Sequence, residues 1–502
     1  MPDAPPPIPA PDATGTVHLE ALSLFASCEE NLAFIKELFK EDFGVIVREY
    51  RNQWDSTVCG FLVCMDGMTN SLTIQQNILE PLQTLRLGAG GAFESMRLSM
   101  VSAHETSVAT HFGDVVSKVL YGDTAVFLAG TAKALIVGTK GFSLRGISEP
   151  DDEKALRGPR EGFTESLMTN MSMLRRKIQT PDLKFIPRVF GTRSNTRACL
   201  CYLDSLVDKK ILAELNRRLD SVVVDGVLDV QYLIERVRDA KYSLFKTIGE
   251  SEKPDVVAAR LLEGRVALIL DGTPLVLTAP YLLVENFQSP DDYYLSFYYA
   301  TSGRILRMLA FFLAVFTPAV YAALLGFHKE MIPTPLLLSI AAAIQGVPFP
   351  VAAEVLGMSA LFEVLSETGL RMPNKMGQAL SIVGALVVGQ AAVDAKIVSA
   401  YTVIVVALTG IAGLMVPRCK SATLLLRLTA LLAASCLGLY GCLACFAGLI
   451  IYLCSLRSLG VPCTEGFLRA RPREGHDALI RSPHPSQRSR PRFLAKDRRR
   501  AL

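Results

Sequence analysis

Apolar residues are distributed unevenly along this 502-residue chain. Residues 1–300 are charged and periodic, residues 305–455 are mostly apolar, and residues 456–502 are polar and strongly basic. A run of about 20 apolar residues is long enough to cross a bilayer. The sequence therefore predicts an α/β cytosolic region followed by an α-helical multi-pass membrane domain. The modest net charge of +4 conceals the uneven distribution of charged residues along the chain.

The polar N-terminal region contains an internal repeat. "FLVCMDGM" (61–68) and "CLCYLDSL" (199–206) each form an apolar strand that ends in aspartate, and a helix-like stretch follows each. "GTAKALIVGT" (130–139) and "GRVALILDGT" (264–273) share flanking glycines around a short apolar strand. Strands and helices in this alternation predict two similar α/β subdomains.

The predicted organisation has five parts. They are a disordered N-terminus over 1–16, subdomain 1 over 17–155, subdomain 2 over 156–300, a transmembrane helical domain over 301–456, and a basic tail over 457–502. Residues 1–16 lack both the basic start and the apolar core of a signal peptide, so we expect the N-terminal region to remain cytoplasmic.

The sequence carries no catalytic, cofactor or metal pattern. It lacks a P-loop, a dinucleotide-binding glycine motif and a zinc-protease helix motif. Cys442 and Cys445 are spaced as in a redox motif, but they lie within an apolar run and are interpreted as helix-packing residues. We therefore expect a protein that is not an enzyme and binds no cofactor or metal.

The apolar region predicts four full crossings. They are 305–327, which Pro318 should kink, then 377–393, 400–416 and 428–455, the last long enough to need either tilt or a bend near Gly438 and Gly441. The tail carries twelve Lys and Arg residues against four acids, which predicts a cytoplasmic tail and an even number of crossings. Lipid and topology effects explain this basic run without nucleic acid.

A broken membrane element is predicted over 335–367. The apolar runs 335–346 and 351–366 are each too short to cross a bilayer, and "VPFPVAAEVL" (347–356) places Pro348 and Pro350 at their joint. Irregular backbone at membrane depth requires protein or water to satisfy it. An interfacial amphipathic helix is the alternative, and six crossings result if both halves cross.

Three acids accompany the broken element. Glu354 and Glu363 are nine residues apart and face opposite sides of a helix, whereas Glu363 and Glu367 share a face. Rings of carboxylates around an oligomer axis select cations. Alternatively, Glu367 ends the segment in water near Arg371. The candidate pore and gating residues are Glu354, Glu363, Glu367, Gln345, Pro348, Pro350, Gln378 and Gln390.

Small residues form a seam on the helix predicted after the broken element. In "GQALSIVGALVVGQAA" (377–392) they recur at every fourth position, which allows another helix to approach closely. These residues are Gly377, Ser381, Ala385 and Gly389.

Five stretches, taken together, resemble the GerA family, the A subunits of bacterial spore germinant receptors. They are "RGPREGFTESLMTNMSMLRRKI", "GRVALILDGTPLVLTAPYLLVENFQSPDDYY", "MIPTPLLLSIAAAIQGVPFPVAAEVL", "MGQALSIVGALVVGQAAVDAKIVS" and "LRSLGVP". A related protein of the dipicolinate-channel operon shares this pattern. In the soluble region the resemblance marks the motif residues Arg157, Gly158, Pro159, Asp271, Gly272 and Pro274.

The resemblance implies a location and partners. A member of this family would lie in the inner spore membrane with a transporter-like B subunit and a lipoprotein C subunit. It would form a homo-oligomeric ring that conducts monovalent cations when a nutrient is present, and nutrient binding would fall mainly to the B subunit. A membrane-anchored scaffold subunit and a secondary transporter are the alternatives; a transporter would need an inverted repeat of broken helices.

Overall fold

The computed structural model describes most of the chain. The described residues are 19–20, 22–55, 58–84, 86, 92–97, 105–141, 149–150, 153, 157–371, 387–465, 477–483, 485 and 490. The predicted disordered segment 1–16 lies outside them, as do Gly377, Gln378, Ser381 and Ala385. Two α/β units are followed by a helical region with apolar helices, as the sequence predicted.

The first unit is a five-stranded antiparallel sheet in the order β1-β2-β4-β5-β3. Its strands are β1 (Val45–Arg51), β2 (Cys59–Met65), β3 (Thr106–Ala109), β4 (Thr124–Leu128) and β5 (Ala134–Val137). Its helices are α1 (Cys28–Leu38), α2 (71–84, with a π-helical centre over Gln75–Leu79), α3 (Ala92–Ser95) and α4 (Phe112–Leu120). Strands β4 and β5 are buried throughout because apolar clusters pack on both faces of the sheet.

The second unit repeats this topology with the strand order β6-β7-β9-β10-β8, again antiparallel throughout. Its strands are β6 (Leu183–Phe190), β7 (Thr196–Leu203), β8 (Gly249–Ser251), β9 (Val266–Leu270) and β10 (Val276–Ala279). Its helices are α5 (Leu167–Lys177), α6 (Lys209–Asp220), α7 (Val230–Val237) and α8 (Pro254–Leu262). The two similar subdomains are therefore present.

The second pair of stretches in the predicted repeat does not match corresponding strands; the correspondence is shifted by one strand. The sequence comparison matched 130–139, which contains β5, with 264–273, which contains β9. In the shared topology the counterpart of β9 is β4, and β5 corresponds to β10. The error arose because short buried strands are all apolar, so their residue pattern does not distinguish one central strand from its neighbour.

The helical region begins directly after subdomain 2. Its helices are α9 (Phe297–Phe327), α10 (Thr334–Ile344), α11 (Val351–Arg371), α12 (Ala400–Leu414), α13 (Lys420–Leu437) and α14 (Leu439–Ser455), and residues 387–394 are also helical. Two segments among the described residues, Phe297–Phe327 and Pro417–Leu437, are long and apolar enough to cross a membrane. Pro318 lies inside α9 and does not end it.

The predicted crossing 428–455 is wrong. Gly438, with φ of 63° and ψ of −141°, ends α13, and α14 begins at the next residue. Buried clusters give the directions: the region of Phe311 on α9 packs with Ala422 and Leu449, whereas Ala323 packs with Ala434 and Cys442. Helix α13 thus runs in the direction of α9, and α14 returns.

The second half of the broken element is also longer than predicted. Helix α11 has 21 residues and extends to Arg371, rather than ending near 366. Val355 packs with Ala322, which lies near the far end of α9, the end away from the α/β units. Glu367 lies near Lys420, the first residue of α13. Helix α11 therefore runs back toward the α/β units along the bundle.

Candidate functional site

The break before α11 forms as the prolines predicted. Gly346 adopts a φ of 92°, which only glycine adopts without strain, between the end of α10 and the start of α11. The Pro350 carbonyl accepts hydrogen bonds from the backbone N–H groups of Ala353 and Glu354 at 2.8 and 3.1 Å. Gln345, Pro348 and Pro350 are exposed on the bundle surface.

Glu354 is buried between helices, with 2% of its surface exposed. Its Oε2 accepts hydrogen bonds from the Ser399 backbone N–H at 2.8 Å and from Thr402 Oγ1 at 3.1 Å. Ser399 is also the N-cap of α12. The carboxylate therefore caps a neighbouring helix, a position favourable for negative charge.

Glu363 and Glu367 share a face of α11, as their spacing predicted, and that face meets cations of α13. Glu363 lies 3.3 Å from Arg427 and 3.6 Å from Lys420, and Glu367 lies 3.8 Å from Lys420. Arg427 is 8% exposed. Both acids are thus paired with cations of the same chain.

The predicted seam of small residues is described only at its end. Gly389 is buried, and a Cβ placed on it would lie 3.7 Å from Val403 Cγ1, an ordinary contact. Gln390, on the same helical stretch, is exposed.

The soluble motif residues hold the stretch 157–178 against the end of subdomain 2. A Cβ on Gly158, whose φ is 114°, would lie 2.6 Å from the Tyr294 ring. The Lys253 ammonium donates to the Pro159 carbonyl at 3.0 Å, and the Arg157 N–H donates to Asp291 at 3.3 Å.

The second motif stretch supports the start of α5. Asp271 Oδ1 accepts from the Leu167 N–H at 2.9 Å, and the Gly272 N–H donates to the Glu165 carbonyl at 2.8 Å. Pro274 follows in the turn between β9 and β10. Asp271 therefore anchors a turn. The N-cap of α5 is Ser166.

A cavity of about 310 Å³ lies between the subdomains. Glu161 on its wall forms ion pairs with Arg176 and Lys177 at 3.8 and 3.1 Å. The remaining lining residues are Tyr121, Met173 and Gln179.

A charged junction joins the α/β units to the helical region, and the sequence interpretation missed it. We define the junction as Arg304, Asp292, Asp477, Arg418, Glu153, Glu285, Arg260 and Arg265. At the base of α9, the buried Arg304 lies 3.1 Å from Asp292 and 2.9 Å from Asp477, which belongs to the tail.

The other half of the junction surrounds Arg418, in the turn between α12 and α13. Arg418 lies 2.6 Å from Glu153 and donates to the carbonyls of Glu285 and Gln288 at 3.0 and 3.1 Å. Glu285 also contacts Arg265 and, at 3.0 Å, Arg260. Burial alone would raise the pKa of Glu285, but the two guanidinium groups outweigh it and hold the pKa below its ordinary value.

Comparison with known proteins gives the family. The model of the Bacillus/Clostridium GerA spore germination protein matches residues 33–493. Spore germination protein KA of Bacillus subtilis (strain 168) is 40% identical over 474 residues, covering 94% of this chain and 87% of that protein. The chain belongs to the GerA family of spore germination proteins.

Other known proteins are also similar to this chain. Spore germination protein GerLA of Bacillus cereus is 33% identical, covering 93% of this chain and 96% of that protein. The uncharacterized membrane protein YfkQ of B. subtilis (strain 168) is 36% identical, covering 92% of this chain and 90% of that protein. A solved structure, the N-terminal domain of the A subunit of the Bacillus megaterium spore germinant receptor GerK3, matches with 27% identity and a TM-score of 0.39, covering 52% of this chain and 97% of that one.

The junction of this GerA-family chain had one signal in its sequence. Arg304 and Arg307 precede the apolar run of α9, and Arg418 follows Pro417. Arginines in such positions are typical of the charged ends of membrane segments. Their partners come from residues 12 to 265 positions away, so no local pattern connects them.

Among the residues that the structure describes, no group of three or more His, Cys, Asp and Glu side chains could hold a metal ion.

Proposed function

We propose that this chain is the A subunit of a nutrient germinant receptor in the inner spore membrane. It oligomerises, works with a transporter-like B subunit and a lipoprotein C subunit, and conducts monovalent cations when a nutrient is present. The observation that carries the germination role is the family match over residues 33–493, which includes both the α/β units and the helical region.

We infer a membrane region of six crossings. Helices α9 and α13 run away from the α/β units, whereas α11, α12 and α14 run toward them. Helix α12 begins at the end of the bundle away from the α/β units, where Ser399 meets Glu354, so a sixth crossing is inferred before it. Helices α13 and α14 have lengths of about 27 and 25 Å at 1.5 Å per residue, close to the thickness of a bilayer core.

Fusions to a reporter that is active only outside the cytoplasm test this topology. Six crossings place 328–332, 395–397 and Gly438 on the outer side, and 416–418 together with both termini inside. The site at Gly438 separates the alternatives because a single crossing over 428–455 would bury it in the bilayer. A reporter that is inactive at Gly438 but active at 328–332 would contradict six crossings.

The proposed ring would use surface that a single subunit leaves open. Gln345, Pro348 and Pro350 are exposed beside Phe349, which is 52% exposed, at the far end of the bundle. Exposed apolar surface of this kind suits contact with a second copy. Glu363 and Glu367 would reach the pore only if their contacts with Arg427 and Lys420 open.

Reconstitution tests conduction. The full chain, co-purified with its B and C subunits, should have the mass of several A subunits in detergent and should release K⁺ from liposomes when the nutrient is added. Gln345→Arg should reduce flux with little effect on folding, whereas Gln390→Arg, on another exposed surface, serves as the control. A single-copy mass without nutrient-dependent flux would refute the channel.

A membrane-anchored scaffold is the second candidate function, and one observation favours it. The acids of α11 are paired or capped within the subunit rather than open to a pore. Glu363→Gln in spores distinguishes the two functions. Unchanged ion release from an intact receptor supports the scaffold, whereas altered ion release from an intact receptor supports the channel.

A further inference from the structure

A cluster of oxygen atoms lies where three helices of the bundle meet. We define the Glu354 cluster as Glu354, Ser399, Thr402 and Tyr321. Ser399 Oγ lies 2.9 Å from Thr402 Oγ1, and Tyr321 OH lies 3.4 Å from Thr402 Oγ1. Helices α9, α11 and α12 each contribute at least one side chain.

One carboxylate oxygen of the cluster has no partner. Glu354 Oε1 is buried and makes no hydrogen bond with the residues that the structure describes. The ion pairs between described residues include Glu363 and Glu367 but not Glu354. The surroundings are apolar, because Ala322, Val355, Val406 and Leu431 form a buried cluster beside it.

The charge of Glu354 is therefore compensated on one side only. The Ser399 N–H and the N-terminus of α12 stabilise negative charge at Oε2. None of the residues that the structure describes stabilises negative charge at Oε1 in this way. An isolated charge in an apolar interior is costly. A group of positive charge beside Oε1 would remove that cost.

The donor atoms indicate which positive group fits. Carboxylate and hydroxyl oxygens are the ligands that hard cations prefer. The cluster supplies one carboxylate, so a single positive charge balances it. The Thr402 hydroxyl donates to Glu354 Oε2, and Ser399 Oγ accepts from the Thr402 N–H at 3.3 Å, so a cation would use the remaining lone pairs of these two hydroxyl oxygens.

We propose that the Glu354 cluster binds one monovalent metal cation inside each subunit. The site deepens the proposed function, on which it rests for its membrane surroundings, and does not require that the ion move through it. The bound cation links α11 to α12 and α9. It differs from a ring of carboxylates around a pore because its ligands come from a single chain.

Direct binding of ²²Na⁺ and ⁸⁶Rb⁺, the latter standing in for K⁺, tests the site. The purified full chain in detergent at neutral pH, with choline as the only other cation, should show saturable binding of one ion per chain. Glu354→Gln should weaken binding at least tenfold. Glu330→Gln, an exposed acid near the same end of the bundle, should not change it.

A second pair of variants separates ligation from folding. Thr402→Val removes a ligand hydroxyl at nearly constant volume and should weaken binding several-fold. Thr409→Val, also buried on α12 but bonded to the Val405 carbonyl of its own helix, should leave binding unchanged. Circular dichroism and gel filtration should match the unsubstituted chain for both.

The proposal is overturned if the unsubstituted chain binds neither ion saturably, because a proton or a water molecule then occupies the site. It is equally overturned if Glu354→Gln binds with unchanged affinity. The conduction assay is a separate readout: loss of flux with intact binding refutes the channel and leaves the cation site standing.

Discussion

At the residue scale, buried ion pairs hold the parts of this molecule in a fixed arrangement. Arg175 of α5 pairs with Asp42 of subdomain 1, and both side chains are almost fully buried. Burial raises the pKa of Asp42 despite the nearby guanidinium, and burial lowers the pKa of Arg175. Desolvation thus offsets much of the attraction, so the pair specifies how the subdomains meet more than it stabilises them.

Removing one partner of this pair should therefore be more damaging than removing both. Asp42→Asn leaves the Arg175 guanidinium buried without a counter-charge, which should cost about 3–5 kcal/mol. Thermal unfolding of the purified chain should show a lower Tm, and limited proteolysis should show faster cleavage.

The double variant Asp42→Asn with Arg175→Met should recover part of that loss. Lys40→Met, which breaks an exposed pair with Glu37, is the control and should change the Tm little. A double variant less stable than Asp42→Asn alone would contradict this account.

At the element scale, glycines set how closely helices approach in the bundle. Gly438 permits the reversal between α13 and α14, and a Cβ there would lie 2.7 Å from His328. Gly410 of α12 lies against α11, where a Cβ would lie 2.2 Å from Cζ of Phe362. The adjoining Gly413 faces open space.

These two glycines of α12 make a matched test. Gly410→Ala should destabilise the bundle by about 1–3 kcal/mol because the Phe362 ring must move. Gly413→Ala should be neutral or stabilising by up to about 1 kcal/mol, since alanine favours the helix.

The Tm of each purified variant measures the effect. Adding Phe362→Leu to Gly410→Ala should restore part of the loss because it frees the space. Equal effects of the two glycine substitutions would show that α11 and α12 do not pack as described.

At the scale of the whole molecule, the charged junction connects the α/β units with the helices. Arg304, at the base of α9, contacts Asp292 and Asp477 of the tail, and Arg418 contacts Glu153 and the carbonyls of subdomain 2. After α14 the chain also contacts subdomain 2, because the Ser458 hydroxyl accepts a hydrogen bond from the Tyr281 N–H at 3.0 Å. A movement of either part must therefore break or shift these contacts.

The junction predicts how stability depends on pH. The pKa of Glu285 is lower in the folded chain, so its contribution is present above its unfolded pKa of about 4.3 and is lost as pH falls toward the folded pKa. The Tm difference between the unsubstituted chain and Glu285→Gln should shrink below about pH 4.3.

Thermal unfolding between neutral pH and about pH 3 measures this difference. Glu37→Gln, at an exposed position, should follow the unsubstituted chain throughout. A Tm difference for Glu285→Gln that stays constant over the range would show that Glu285 does not contribute through its charge.

Local pattern in the sequence determined the elements and their order. The repeat, the α/β class, the helical region and the break at Gly346 follow from periodicity, turn residues and apolar run length, which depend on neighbours along the chain. Apolar length alone misassigned 428–455, since it does not reveal whether a glycine bends a helix or reverses it.

Tertiary structure decided which residues meet. Glu354 caps α12, Glu363 pairs with Arg427, and Arg418 reaches Glu153 across 265 positions of sequence. The sequence marks each group as charged, but its partner and burial follow from the packing of distant elements. The resemblance to one family came from stretches that extend from residue 157 to residue 462. The junction and the Glu354 cluster exist only once the chain has folded, because their contacts join segments that are far apart in sequence.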